Sequence, residues 1–384
     1  MPPVTRNAEL RRLLRRPTII LWSLFILLVP FYVVHNGLPQ PGDLLILVLF
    51  PVTLSGWNGR LHRSSRLSFR PLVWFTLWVC VVELFWILVL GDFTLDLLFP
   101  AYYLYNAMIF LTALVLFQRF GEPFLRLTLY LFLGSVLFQV LASGAFSQSA
   151  QRGMLFFSNP NQLGYYALLA GCIIALLQRR VGLGLIKSSI GLTGCAYLAV
   201  LSASRSAAAG ILLLFALLVV SNPRILAVGT AIVVALMLLG NPVSEATDGL
   251  QQRVTEDRNS QLTFFEQRGY DRIWANPEYL GFGAGEGANE RFADSTAIGA
   301  AEIHSSAGTI LFSYGIVGMG FLVFFVSCLV RGAPFRASFM LIPPLIYTFA
   351  HQGLRFTTLW VLLALFAAIK TPPLSPASSP SGQP

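Results

Sequence analysis

Residues 97–117 read LLFPAYYLYNAMIFLTALVLF, an apolar and aromatic run without a charged side chain. A helix needs roughly 20 such residues to cross a hydrocarbon layer about 30 Å thick. Comparable runs recur from Thr18 to Lys370, and only 11% of the chain is charged, against roughly 25% in soluble domains. The short alternating segments of a membrane β-barrel are absent. The sequence therefore predicts an all-α polytopic membrane protein.

The apolar runs predict about twelve transmembrane helices with one large external loop between the ninth and the tenth. The predicted spans lie near residues 18–34, 43–56, 72–90, 97–117, 124–142, 162–178, 188–203, 206–221, 225–240, 306–330, 337–351 and 354–370. The chain then divides into a basic N-terminus (1–17), spans one to nine (18–240), the loop (241–305), spans ten to twelve (306–370) and a disordered tail rich in Pro and Ser (371–384).

The distribution of charge sets the orientation. The chain carries a formal net charge of +9, and most of its basic residues fall in the short connections that twelve spans place on one side. This is the positive-inside pattern, not a groove for nucleic-acid phosphates. We therefore expect both termini on the cytoplasmic side, the loop outside and no nucleic-acid partner. The four cysteines lie in apolar runs without metal-ligand spacing, so we expect no metal site.

Two polar clusters are predicted to lie on the external side. In residues 302–306 (EIHSS), Ser305 or Ser306 is a plausible helix N-cap. A histidine at a helix N-terminus is favoured in its neutral form, so His304 is a candidate general base, or simply a histidine at the membrane interface. In residues 202–206 (SASRS), the fork of Arg205 fits phosphate oxygens, or pairs with an acidic residue of the loop.

Two further clusters have both a functional and a structural interpretation. The loop segment 268–287 contains Arg268, Arg272 and a run of glycines, which either expose N–H groups to an anion or form a flexible turn. Residues 158–161 (SNPN) are typical of a helix start, and a helix N-terminus also favours an anion. Glu83, in the third span, suggests a proton relay, but the sequence shows no partners for it.

Taken together, these clusters resemble the O-antigen ligase and Wzy-type polysaccharide polymerase superfamily, glycosyltransferases of the bacterial inner membrane. The resemblance covers the topology of most of the chain. The motifs that carry it are 158–164 (SNPNQLG), 202–206 (SASRS), 268–287 (RGYDRIWANPEYLGFGAGEG) and 302–318 (EIHSSAGTILFSYGIVG), in this order and on one predicted face.

The resemblance implies transfer of a glycan from a polyprenyl diphosphate to a sugar hydroxyl at the periplasmic face, without metal or other cofactor. It implies His304 as the base that deprotonates the acceptor. Arg205 and a loop arginine would grip the diphosphate, the latter being Arg272 or Arg268. The further candidates for substrate binding are Asn159, Asn161, Glu286, Arg291 and Glu302. The implied partners are the lipid-linked donor, a saccharide or lipid A-core acceptor, the bilayer and a chain-length regulator.

Two choices stay open at the level of sequence. Here Trp274 follows Arg272 by two residues, whereas many members of the superfamily have four, so the identity of the loop arginine is not fixed. A ligase and a polymerase are not distinguished by a single chain. A transporter or flippase of lipid-linked saccharides is the alternative function, but it would place polar groups at mid-membrane, where only Glu83 and Asn106 occur.

Overall fold

The computed structural model describes residues 6–34, 39–91, 98–145, 153–221, 263–292 and 302–370, with the single residues 224, 229, 251 and 255. Within these ranges the regular elements are helices. They are α1 (Arg6–Leu13), α2 (Pro17–Leu28), α3 (Pro41–Ser55), α4 (Arg63–Leu90), α5 (Leu98–Phe120), α6 (Glu122–Ala145), α7 (Pro160–Val181), α8 (Leu185–Leu201), α9 (Arg205–Ser221), α10 (Phe264–Gln267), α11 (Asp271–Ala275), α12 (Ser306–Val330), α13 (Phe335–Ser338), α14 (Ile342–Ala350) and α15 (Thr357–Ile369). Short 3₁₀ turns occupy Pro277–Leu280, Asn289–Phe292, Phe339–Leu341 and Gly353–Arg355.

Five of these helices are long and apolar enough to cross a membrane, namely α4, α5, α6, α7 and α12. Shorter apolar helices stand at six of the other predicted spans. The all-helical class is therefore confirmed for the described residues. The ninth predicted span (225–240), much of the loop 241–305 and the tail 371–384 lie outside them, so twelve spans remain a prediction.

Several helix boundaries differ from the predicted spans for simple reasons. The first predicted span ends at Leu28 and not at residue 34. The third begins at Arg63, because the helix continues beyond its apolar part into a polar turn. The eleventh is divided at residue 342, where Pro343 and Pro344 open a new helix, since proline is tolerated in a first helical turn but not in an interior.

The centre of the bundle is formed by α7 and α15, which are buried on every side. All residues from Leu163 to Gln178 of α7, and from Thr358 to Ala368 of α15, are buried. A helix that is apolar all round is stable only when neighbours enclose it. Helices α6, α8 and α9 pack against α7, and α5 packs against α15. At Gly164 the turn 202–207 approaches so closely that any Cβ would contact Ser202 and Ala207.

The periphery of the bundle is as apolar as its core. On α4, Leu77, Val81, Leu84 and Leu88 are each more than half exposed and recur at the three- and four-residue spacing of one helix face. A soluble protein rarely exposes a continuous apolar stripe of this kind. The stripe is what a helix in contact with lipid requires, and it agrees with a membrane protein.

Helix α12 is interrupted at Gly315, which has φ 66° and ψ −173°. The interruption leaves the carbonyl groups just before it without their normal helical donors. Other parts of the chain supply donors: Ala284 N–H reaches Phe312 O at 2.9 Å and Gly285 N–H reaches Ser313 O at 2.8 Å. The glycine-rich loop segment therefore binds at the break in α12.

Helix α4 holds the same segment from its other side. Trp86 Nε1 donates to Gly283 O at 2.9 Å, and Glu83 Oε1 accepts the N–H of Glu286 at 2.8 Å. Glu83 thus has the partners that the sequence did not reveal, and its contact with the segment is structural. The N–H groups of residues 284–286 are used inside the protein, so they do not form a nest for an external anion.

Gly283 should tolerate no side chain. Its φ is 110°, and a Cβ would collide with the backbone of Ser313 and Tyr314. We expect Gly283→Ala to lower the free energy of unfolding by about 2 kcal/mol or more. In Gly281→Ala, where the added Cβ meets nothing within 4 Å, the change should stay within about 0.5 kcal/mol. Thermal unfolding in detergent checks both; equal midpoints would refute this docking.

Candidate functional site

The predicted external clusters meet at the end of the bundle where α3, α5, α7 and α12 begin. Ser305 is the N-cap of α12, and its side chain accepts the N–H of Gly308 at 3.2 Å. Tyr270 of the loop contacts the same hydroxyl, with 2.6 Å between the two oxygens. His304 N–H donates to Arg268 O at 2.9 Å. These bonds place Arg268 and His304 side by side in space.

The connection between α14 and α15 completes this junction. Ser306 N–H donates to His351 O at 3.1 Å, and Leu354 N–H donates to Ser306 Oγ at 2.9 Å. Gln352 Nε2 donates to Ile303 O and to Thr309 Oγ1. The segment 351–355 is therefore bound to the start of α12. The same hydrogen bonds position its side chains next to His304.

A cavity of about 650 Å³ lies at this junction, large enough for the head of a lipid-linked substrate. It is lined by Tyr32, Pro39, Gln40, Asp43, Leu47, Leu98, Ala101, Tyr102, Tyr105, Asn159, Asn161, Gln162, Tyr165, Arg268, His304, Tyr347, His351, Gln352, Arg355, Phe356 and Thr357. Four of the predicted site residues are among them: His304, Arg268, Asn159 and Asn161. They come from three separate stretches of sequence.

One wall of the cavity is basic. Arg268 Nη1 lies 3.5 Å from His351 Nδ1, and the His351 ring stacks on Tyr347 with 4.7 Å between centroids. His304 is exposed at the surface of the cavity. Because these groups converge on one space, an anion inside it would meet a guanidinium and two imidazoles.

The start of α7 forms the adjoining part of the cavity. Asn159 is the N-cap, as predicted, and its side chain accepts the N–H of Gln162 at 3.0 Å. The ring of Tyr165 stacks on Tyr347 with 4.0 Å between centroids, and its buried hydroxyl has no hydrogen-bond partner among the described residues. The N-terminal end of a long helix is the positive end of its dipole. It adds to the attraction for an anion.

A second, narrow polar pocket lies beside the cavity and holds three further candidates, Arg272, Glu286 and Glu302. It is lined in part by Arg272, Glu286, Glu302 and Arg355. Arg355 Nη2 lies 2.5 Å from Glu286 Oε2 and 2.5 Å from Glu302 Oε1. Arg355 borders both spaces, and its two carboxylate partners compensate its charge.

The two arginines of the narrow pocket differ in their electrostatics. Burial alone would lower the pKa of Arg355, but the charges of Glu286 and Glu302 outweigh it and raise the pKa above its usual value. Burial lowers the pKa of Arg272, although Asp271 and Glu302 act in the opposite direction. Arg272 Nη1 donates to Asn289 Oδ1 at 3.0 Å, a neutral partner within the loop. Arg272 therefore stabilises the loop, and it does not line the large cavity.

Two predicted site residues lie outside both spaces. Arg291 Nη2 donates to Ala284 O at 2.7 Å, and its guanidinium lies over Trp86, 4.6 Å from the centroid. Its contacts hold the loop on α4. Arg205 begins α9 after a short turn, as predicted. The turn packs on Gly164 near the start of α7, so Arg205 begins its helix near this end of the bundle, but it is not a lining residue.

Several lining residues were not candidates from the sequence. Arg355 lies at the start of the twelfth predicted span (354–370) and His351 at the end of the eleventh (337–351), and neither was assigned a role. Asp43 stands at the start of a short apolar run. Among the described residues, no group of three His, Cys, Asp or Glu side chains is placed to hold a metal ion.

The chain matches no family model, and it has no significant match among curated proteins.

The contact between Arg355 and Glu286 should be important for stability. The Glu286 side chain is 2% exposed and that of Arg355 is 22% exposed, and Glu286 also accepts from Tyr103 at 2.6 Å. Loss of Glu286 leaves Arg355 with Glu302 as its carboxylate partner and removes the acceptor of the buried Tyr103 hydroxyl, so the cost is below the roughly 3–5 kcal/mol of a fully broken buried pair. We expect Glu286→Ala to lower the thermal unfolding midpoint clearly.

The matched control is Glu278→Ala, at an exposed position of the same loop, which should leave the midpoint unchanged. Similar midpoints for the two variants would show that the buried pair contributes nothing to stability.

Proposed function

We propose that the protein transfers a glycan from a polyprenyl diphosphate to a sugar hydroxyl, in the manner of an O-antigen ligase or polysaccharide polymerase. The transfer takes place at the external face of a bacterial inner membrane, in a chain of about twelve spans with both termini cytoplasmic. One observation supports it above the rest. Arg268 and His304, predicted from separate motifs, line one cavity at a single end of an apolar bundle.

The basic wall is suited to a diphosphate leaving group. Negative charge on the diphosphate grows as the glycosidic bond breaks, and fixed positive groups stabilise that growth. Arg268 supplies a guanidinium fork for phosphate oxygens. The start of α7 and the Tyr165 hydroxyl supply a helix dipole and a hydrogen-bond donor. Arg268 lines the large cavity and Arg272 does not, so Arg268 is the better choice for the loop arginine.

His304 is suited to deprotonate the acceptor hydroxyl. It directly precedes Ser305, the N-cap of α12, and it is exposed at the cavity, where an acceptor hydroxyl can reach it. Arg205 remains a candidate for a role near the start of α7, and Asn159 and Asn161 border the same space. Glu286, Glu302 and Arg291 act on the substrate only indirectly, through the framework that they hold.

The contacts of the mid-span polar residues favour transfer over transport. Glu83 binds the loop backbone, and Asn106 Nδ2 donates to Leu354 O at 3.3 Å. A transporter needs polar groups that line a path through the membrane, whereas these two side chains fasten helices to the cavity framework.

Replacement of His304 tests the proposed base. We expect His304→Ala to lower kcat by about 10²- to 10⁴-fold, the usual contribution of one general base, with little change in donor affinity. His62→Ala is the matched control, since His62 precedes the first residue of α4 and its side chain makes no capping bond there, and it should retain activity. Transfer of glycan from purified lipid-linked donor is the measurement. Full activity in His304→Ala excludes the residue as the base.

Paired replacements distinguish the two loop arginines. Arg268→Ala should weaken binding of undecaprenyl diphosphate and lower kcat/KM by about 10²- to 10³-fold, the loss expected for one preorganised donor to a developing charge. Arg268→Lys should be nearly as damaging, because the fork is lost. Arg272→Lys should retain donor binding. The opposite order, with Arg272 essential and Arg268 dispensable, would contradict the assignment.

Deletion of the gene separates ligase from polymerase. Long glycan missing from lipid A, with polymer accumulating on the polyprenyl carrier, indicates a ligase. A single repeat unit on the core indicates a polymerase. Unaltered surface glycan in a strain without a redundant enzyme would refute both.

A further inference from the structure

A second wall of the large cavity carries a carboxylate and tyrosines, in contrast to the basic wall. It is formed by the first turn of α3 and the adjoining face of α5, with Asp43, Tyr102 and Tyr105. A carboxylate repels a phosphate at short range. The part of the substrate that meets this wall is therefore not the diphosphate.

The Asp43 carboxylate is held in a fixed direction. Tyr105 OH donates to Oδ1 at 2.9 Å, and Gln40 N–H donates to Oδ2 at 2.8 Å. Gln40 is itself fixed, because its side chain binds the backbone of Val33 and Val34. A carboxylate accepts about four hydrogen bonds, so two donors leave Asp43 with acceptor capacity toward the cavity.

Helix capping explains only part of this arrangement. The bond with Gln40 belongs to the capping box of α3, but capping does not require the bond with Tyr105 of another helix. Within the described residues, the side-chain partners of Asp43 carry no positive charge. Tyr102 lines the same cavity as Asp43 and Arg355.

We propose that Asp43, with Tyr102 and Tyr105, binds the hydroxyl groups of a saccharide next to the diphosphate site. A preorganised carboxylate is a strong acceptor for hydroxyl donors, and tyrosine rings offer flat apolar faces with a polar edge. This inference rests on the proposed function and assigns the sugar to one wall and the diphosphate to the other. The saccharide belongs either to the donor glycan or to the acceptor.

The test compares substrates with and without sugar on the full-length protein in detergent. Asp43→Asn keeps an oxygen for Gln40 but loses the charge. We expect it to bind undecaprenyl diphosphate, which carries no sugar, like the wild type. Its KM should rise about 10- to 100-fold, the loss expected for a hydrogen bond to a charged group, for either the glycosylated donor or the saccharide acceptor, and the affected substrate identifies the sugar.

Two further variants make the result decisive. Glu122→Gln makes the same chemical change at an exposed carboxylate, which pairs with Arg126 away from the cavity, and should leave both KM values unchanged. Tyr102→Leu removes a ring without touching the α3 cap, so it applies even if Asp43→Asn fails to fold; it should also raise one KM.

Three outcomes would overturn the inference. Unchanged KM values for both substrates in Asp43→Asn and Tyr102→Leu exclude the saccharide wall while leaving the proposed function intact. Weakened binding of sugar-free undecaprenyl diphosphate in Asp43→Asn assigns the residue to the diphosphate instead. A wild-type protein that binds no undecaprenyl diphosphate refutes the proposed function, and this inference with it.

Discussion

The break in α12 at Gly315 is the constraint on which the candidate site depends. A helix interrupted among apolar helices must find new donors for its carbonyl groups, because lipid and hydrocarbon side chains supply none. The chain meets this requirement with the backbone of residues 284 and 285 and with Trp78 Nε1, which donates to Tyr314 O at 2.8 Å. The loop segment is thereby fixed against the bundle, and the position of Glu286 follows from it.

The contacts of Glu286 connect the loop segment to the cavity. Its carboxylate binds Arg355 and the Tyr103 hydroxyl, and Arg355 also binds Glu302, two residues before His304. An ion pair therefore joins the start of α12 to the connection between α14 and α15, in addition to the backbone hydrogen bonds. This network balances Arg355 internally, so the basic character of the cavity comes mainly from Arg268 and the two histidines.

Local features of the fold were predictable from the sequence, and long-range pairings were not. The caps at Asn159 and Ser305 and the turn before Arg205 follow from residue preferences at helix ends. The apolar runs indicated the helices, apart from boundaries where polar turns continue a helix. The Glu286–Arg355 pair spans 69 residues and depends on how the loop packs. Nothing in the local pattern around Asp43 separates a cap from a cavity wall, and the glycine run gave no sign that its N–H groups are used by α4 and α12.

Burial of α7 and α15 on all sides has a consequence for access to the cavity. These two helices cannot tilt without disrupting every neighbour, because close-packed interiors transmit displacement instead of absorbing it. Under the proposed function, any movement that admits a substrate must therefore come from the outer elements that line the cavity: the segment around Arg268, the start of α3 and the start of α5. Tyr165 and the start of α7 belong to this central pair, so they keep their place when the outer elements move.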